Sequence, residues 1–434
     1  MKKLEQGLKY RELSHYIGLL RSFYRSAKYI FKQTTSSMKI IAMIVFSGLM
    51  IAAFHSHAQT NFWDDPQAYL GQTPPGNTPV KFAPKLINDT PFFSMDRSAF
   101  SKDGREFYYC RNNTWFSNKD AAMQVFRFDG NKWNGPTTIV PKLYAPVLSP
   151  DGDTIYCIGA GKGQVSFMQR DGNGWSKPKA FLQRSYGLYD FMCTNSGNMY
   201  AASNIKGSID NYSCYDVCIM KPVKSGDTSI YTLGKPMNTP GFDGDFFVAP
   251  DESYIIISAK EKPDFECELF ISYHKKDGSW TNPKSLGPEI NNGPAHRWGE
   301  YVTPNNKYLI YSYGHGPEDC ALYWVRFDNL LENLKHTNFE PYVKDSISNQ
   351  SAKINQPLSL HISDNTFYDD DGDNTLSYSA GSGDGNSLPS WLSFNAKKKI
   401  LSGTPGQSGF YTISVTATDP AKAIAVSTFT IKVE

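Results

Sequence analysis

The stretch APVLSPDGDTIYC, residues 145–157, is an apolar run, a tight-turn signal and a second apolar run in thirteen residues. Pro presets φ for the turn, Asp bonds back to its own backbone, and Gly accepts a positive φ. The same pattern recurs as RSAFSKDGREFYYC at 97–110, DFMCTNSGNMYAA at 190–202, DFFVAPDESYIIIS at 245–258 and GEYVTPNNKYLIYS at 299–312. The equivalent residues Ser101, Ser149, Thr194, Ala249 and Thr303 stand 48, 45, 55 and 54 positions apart. Each unit continues into a third strand pattern (MQVFRFDG, QVSFMQRDG, YDVCIMKP, ELFISYHKKDG, ALYWVRFD). In three units an Asp-Gly turn then leads to a Trp-containing tail (NKWNGP, NGWSKP, GSWTNP). Each unit therefore predicts a four-stranded antiparallel sheet. One such sheet cannot bury both faces, but several arranged radially can, which is a β-propeller.

The fifth unit lacks its own tail. The segment TPVKFAPKLI (78–87) matches the missing fourth strand, so the N-terminal segment is expected to complete the last blade and close the ring. The expectation is an all-β chain with a five-bladed propeller over 59–340; six blades is the alternative. SPDGxxIYx closely resembles the WD40-like, TolB-type propeller repeat, and the last unit resembles the terminal repeat of exported bacterial members.

From about Asp345 the composition shifts to Ser, Asn, Asp and Thr with few aromatics. Six or seven short alternating runs in about 90 residues predict a β-sandwich over 341–434. DDDGDNTLSYSA, LPSWLSFNAKKKILSGTP and YTISVTATD, in that order, closely resemble the dystroglycan-type cadherin-like or immunoglobulin-like module. Trp391 is the expected core anchor and Gly403-Thr404-Pro405 a fixed turn. Asp369, Asp371, Asp373 and Asp419 carry hard carboxylate oxygens of the kind that bind Ca²⁺. The resemblance implies a calcium site there in some members, and a solvated acidic turn is the alternative. An EF-hand is excluded, because the sixth and twelfth loop positions are Asn374 and Ala380.

Residues 1–58 read as an address. A charged start precedes the fifteen-residue apolar run Ile40–Phe54, followed by the small residues of Ser56-His57-Ala58. Fifteen residues is short for a membrane span, which needs roughly 20. A secretory signal is expected, with Met38 a plausible start, the mature chain beginning near Gln59, and an uncleaved anchor as the alternative. The formal net charge of +2 is dominated by this segment. It holds nine of the 44 basic and two of the 42 acidic residues, which leaves the remainder at about −5. That balance gives no case for nucleic-acid binding. The expected location is extracytoplasmic (periplasmic, cell surface or secreted), with cell-envelope association. Of the seven cysteines at least one must be free, and their strand contexts suit buried small apolar side chains.

At the channel mouth the residues entering the inner strands are Arg97, Asp190, Asp245 and Glu300, with Asp96, Asp243 and Arg297 nearby. Arg97, Asp190, Asp245, Arg297 and Glu300 are candidate ligand contacts. Asp190, Asp245 and Glu300 are also the acid/base candidates if two carboxylates stand about 5–10 Å apart for glycoside hydrolysis or lyase chemistry. The alternative is that these acids bond to neighbouring turns and line a wet channel. No P-loop, G-x-S-x-G elbow or H-E-x-x-H is present. The first expectation is thus a non-catalytic exported binding or scaffold protein. Its propeller would take a protein, peptide or glycan and its C-terminal module would act as spacer or adhesion unit. The rival is a carbohydrate-active enzyme.

Overall fold

The computed structural model describes residues 61–434, except 89–90, 116–119, 160–162, 206–214, 223–227, 240, 260–265 and 373–374. The proposed signal segment, Cys214 and Asp373 lie outside the described residues. Among the described residues no helix is long and apolar enough to cross a membrane.

Five four-stranded antiparallel sheets follow one another along the chain, and these are the five blades. Their inner strands are Phe93–Phe100, Tyr144–Leu148, Leu188–Cys193, Phe246–Val248 and His296–Val302. Blade 2 carries an extra two-residue strand, Gly174–Trp175. Blade 5 takes its outer strand, Val80–Lys81, from ahead of blade 1: Val80 pairs with Trp324 and Lys81 with Tyr323. Phe82 N donates to Leu322 O at 2.8 Å and Arg326 N to Gly76 O at 2.9 Å, which extends the seam.

The repeat's turn residues have a visible physical job. Ser101 Oγ meets Asp103 Oδ1 at 2.6 Å, that carboxylate accepts Arg105 N–H, and Glu106 N–H donates to Ser101 Oγ at 2.9 Å. Ser149 with Asp151, and Thr303 with Asn305, repeat the arrangement. Gly104, Gly152, Gly197 and Asn306 hold the positive φ of the turn. In blade 4 that position is Glu252, at φ 60°. Its carboxylate is gripped by the blade 3 turn: Thr194 Oγ1 at 2.6 Å, Asn198 Nδ2 at 3.0 and 3.1 Å, Tyr200 Oη at 3.2 Å, and Ser196 Oγ. Those donors pull the Glu252 carboxyl below its usual range, against its burial. Blades 1 and 2 are joined by Glu106, which receives Arg127 at 2.9 Å and Arg170 at 2.7 Å.

The seam between blades 5 and 1 is aromatic. Phe82 is fully buried, 5.0 Å from Phe107 and 5.1 Å from Trp324. Trp63 and Tyr69 cover the same joint, against Phe100 and Trp324.

The C-terminal residues form a sandwich. One sheet orders its strands as Gln350–Ala352, Ile424–Val433, Gly409–Thr418 and Ser377–Ser382, with the first pair parallel. The other contains Leu358–His361, Ile400–Gly403 and Leu392–Asn395. Alternate residues of the long strands, such as Ile413, Val415 and Ala417, are buried in a core with Leu401 and Phe429. Trp391 packs on this core from its edge, half-buried, 5.3 Å from Tyr411. A Cβ on Gly403 would lie 1.8 Å from Trp391 O, so only glycine permits that backbone approach. The six described cysteines are all free, five buried and Cys193 half-buried.

Phe82→Ala removes a fully buried ring from the seam. It should destabilise the full chain by about 3–5 kcal/mol in urea unfolding. An unchanged midpoint would mean that the N-terminal strand does not hold the ring closed.

Candidate functional site

Four inner strands carry a register shift as they enter the channel: between Met95 and Ala99, Tyr144 and Val147, Tyr189 and Phe191, and Trp298 and Tyr301. At each a residue has positive φ: Asp96, Ala145, Asp190 and Gly299. A bulge sets two residues against one and re-aims the chain. Here it turns polar side chains toward the axis. At Gly299 a Cβ would fall 2.5 Å from Asp96 C, so that approach of blades 5 and 1 requires glycine.

Arg97, 2% exposed, crosses the channel from blade 1. Its Nη1 donates to Phe191 O at 3.0 Å and its Nε to Glu300 O at 3.3 Å. Its Nη2 meets Asp190 Oδ2 at 2.5 Å and also donates to Phe246 O. One guanidinium thus binds blades 3, 4 and 5. Asp190 further accepts Phe191 N–H and Phe246 N–H. Asp96 accepts Trp298 Nε1–H at 3.0 Å. Tyr189 Oη stands 3.5 Å from Asp245 Oδ1. The void that Asp96, Asp190 and Asp245 line is only about 10 Å³, the room of a single water. Arg97 and the bulged strands occupy the space around that void.

Burial raises the whole acid cluster. Asp96 is pushed up to about 6 and Glu300 to about 8, both by loss of water. Asp245 lies well above the carboxylate range through burial and the charge of Glu300. Asp190 is raised by burial, against the pull of Arg97. Arg297 does not face the channel's acids. Its Nε donates to Ile290 O at 2.8 Å, and its terminal nitrogens to Cys267 O, Asn292 O and Gly293 O, clamping the 290–293 loop. Asp243 is taken up by Thr239 N–H at 2.7 Å.

A second cavity lies where the Ser-Pro-Asp turns converge. It measures about 490 Å³, within the range of ligand pockets. Phe100, Val147, Met192, Phe247 and Tyr301 form its apolar walls, and Arg97 reaches its floor. Pro150, Pro250 and Pro304 ring it, with Lys102 and Asn195 at the equivalent turn positions and Asp251 one residue further on. Leu331 and Lys335, from the helix Asp328–Lys335, complete the wall. Of the five candidate ligand contacts only Arg97 lines this cleft. The repeat itself was the signal for the others: the residues that make the turns also ring the cavity.

The acidic loop of the C-terminal module packs against blade 4 and the linker. Asp370 Oδ1 meets Lys275 Nζ at 3.0 Å and its Oδ2 accepts Asn282 N–H at 2.6 Å. Asp371 accepts Phe339 N–H at 2.6 Å, and Asp419 accepts Asn338 Nδ2–H at 2.7 Å and Ala423 N–H at 2.8 Å. Asp369 accepts Asp371 N–H at 2.8 Å, and burial raises its carboxyl. Calcium needs about six to eight oxygen ligands. Here both oxygens of Asp370 and of Asp419, and one each of Asp369 and Asp371, are taken by N–H donors or an ammonium. Among the described residues no three acidic, His or Cys side chains form a group able to hold a metal.

Residues 340–434 match the He_PIG family model, described as "Putative Ig domain". A search of curated proteins gives no match. Among solved structures, TolB from Acinetobacter baumannii is 14% identical, with a TM-score of 0.34 over 54% of this chain and 54% of its own. The extracellular domain of a hybrid two-component system from B. thetaiotaomicron is 10% identical, TM-score 0.33, over 78% and 44%. A structure from Bacteroides fragilis described as a "putative alpha-galactosidase" is 21% identical, TM-score 0.18, over 22% and 18%. The chain thus spans less than two-thirds of each of these proteins, and the likenesses assign no activity to it.

Two variants test the channel. Arg97→Met strands the Asp190 carboxylate in the interior and should cost about 3–5 kcal/mol at pH 7 in denaturant unfolding. A raised carboxyl keeps its proton in the folded chain while the unfolded chain releases it. Stability from the cluster is therefore full below about pH 4 and falls as pH rises toward 8. Glu300→Gln removes one such proton and should gain more than about 1 kcal/mol at pH 8 and little at pH 4. A pH-independent effect would contradict a neutral Glu300.

Proposed function

We propose that this chain is an extracytoplasmic, non-catalytic binding protein, and that its 490 Å³ cleft on the turn face takes a segment of a protein or peptide partner. The single observation that carries the proposal is the cleft: apolar walls, a ring of prolines and a polar rim from five turns, above an acid cluster sealed by Arg97. Apolar walls suit an aliphatic or aromatic side chain, and backbone-rich turns suit the amides beside it. The C-terminal Ig-like module, cadherin-like in its motifs, supplies reach or adhesion. The rival reading is glycoside chemistry by Asp190, Asp245 and Glu300, of which Asp190 and Asp245 line a void of only about 10 Å³.

Asn195 is exposed at the rim, so Asn195→Trp can fill the cleft without disturbing the core. Peptides selected on the full chain from a random display library should bind the Asn195→Trp variant at least about tenfold more weakly, at unchanged melting temperature. Equal binding would move the site elsewhere. Polysaccharide turnover that Asp245→Asn and Glu300→Gln abolish without lowering the melting temperature would establish the enzyme instead.

A further inference from the structure

The helix Asp328–Lys335 belongs to two structures at once. Leu331 and Lys335 form one wall of the cleft. Its end and the linker after it are held by blade 4. Lys284 Nζ donates to Leu334 O at 2.8 Å and to the Thr337 carbonyl, and lies 3.2 Å from the Phe339 ring centre. Tyr273 Oη donates to Leu331 O at 3.0 Å. The next residues, Asn338 and Phe339, donate into Asp419 and Asp371 of the module. Beside them Lys275 and Asn282 of blade 4 occupy both oxygens of Asp370, whose side chain is 2% exposed. Asn282 Nδ2 also donates to Glu340 O at 2.8 Å.

We propose that blade 4 and the acidic loop form a metal-free latch, in which the Lys275 ammonium supplies the positive charge at Asp370, and that this latch fixes the cleft's helical wall and the C-terminal module as one unit. Charge-assisted bonds in a buried setting are the strong ones, and only His336 and Thr337 lie between the helix end at Lys335 and the residues Asn338 and Phe339 that bond to the module. Movement of the module therefore pulls on the wall of the cleft. The inference rests on the placement of the cleft and not on its occupant.

Hydrogen–deuterium exchange of the full chain tests it. In Lys275→Met and in Asp370→Asn, amides of 328–335 and of 336–345 should both exchange at least about tenfold faster, while blade 2 amides at 145–158 keep their rates. Lys275→Arg should restore most of the protection. Wild-type rates should be the same in EDTA and in calcium chloride. Faster exchange in EDTA alone, or slower exchange in calcium, would show that a cation holds the loop and would overturn the proposal. A linker that loosens while 328–335 stays protected would sever the module from the cleft wall. Global loosening of Asp370→Asn alone is a folding defect; Lys275→Met, which removes the partner on the propeller side, then carries the decision.

Discussion

Everything in the ring converges on one guanidinium. Arg97 leaves blade 1 and binds carbonyl oxygens of blades 3, 4 and 5 and the Asp190 carboxylate, all inside the channel. Radial sheets pack pairwise and give no blade direct contact with those across the axis. A central cation with several donors in a fixed fork supplies that contact. Its setting is costly for charge, and the neighbouring acids respond by holding their protons, with Asp190 as the partner that offsets Arg97. The bulges at Asp96, Asp190 and Gly299 serve the same end, since they turn the inner strands so that these groups can meet.

With the axis filled, binding capacity is displaced to the turns. The hydroxyl–carboxylate turn that repeats at Ser101, Ser149 and Thr303 is needed to reverse each inner strand. Repeated around the ring, it also encloses a cavity. The same short motif is thus structural in each blade and functional as a set. This division lets the walls vary, as with Lys102, Pro150 and Asn195 at one turn position, without disturbing strand pairing.

Much of this was legible in the sequence. The 45-to-55-residue spacing of the turn signal predicted the blades, and the 78–87 segment predicted the strand that Val80–Lys81 supplies to blade 5. Of the polar residues entering the inner strands, Arg97, Asp190, Asp245 and Glu300 interact with one another in the structure. What those residues do there was not legible. How Asp96, Asp190 and Glu300 are aimed depends on bulges of one or two residues in their strands, and periodicity does not register them. Arg297 lies two residues from the axis by sequence, yet its side chain turns outward to clamp a loop. The acidic loop at Asp369–Asp371 advertised itself as a cation site by composition. Its partners, Lys275 and Asn282, lie some ninety residues upstream, where no local pattern links them to it.

The seam has a mechanical consequence. The outer strand of blade 5 runs antiparallel to its neighbour, with Val80 opposite Trp324 and Lys81 opposite Tyr323. The chain arriving before Val80 and the chain leaving after Trp324 therefore emerge at the same end of the pair. Tension between the two ends of the molecule would load these hydrogen bonds one after another, as in opening a zipper, rather than all together in shear. Resistance to such a pull then falls to the aromatic plug of Phe82, Trp63 and Tyr69 behind the strand. A pull on the two flanks of this joint would therefore peel the strand rather than shear it.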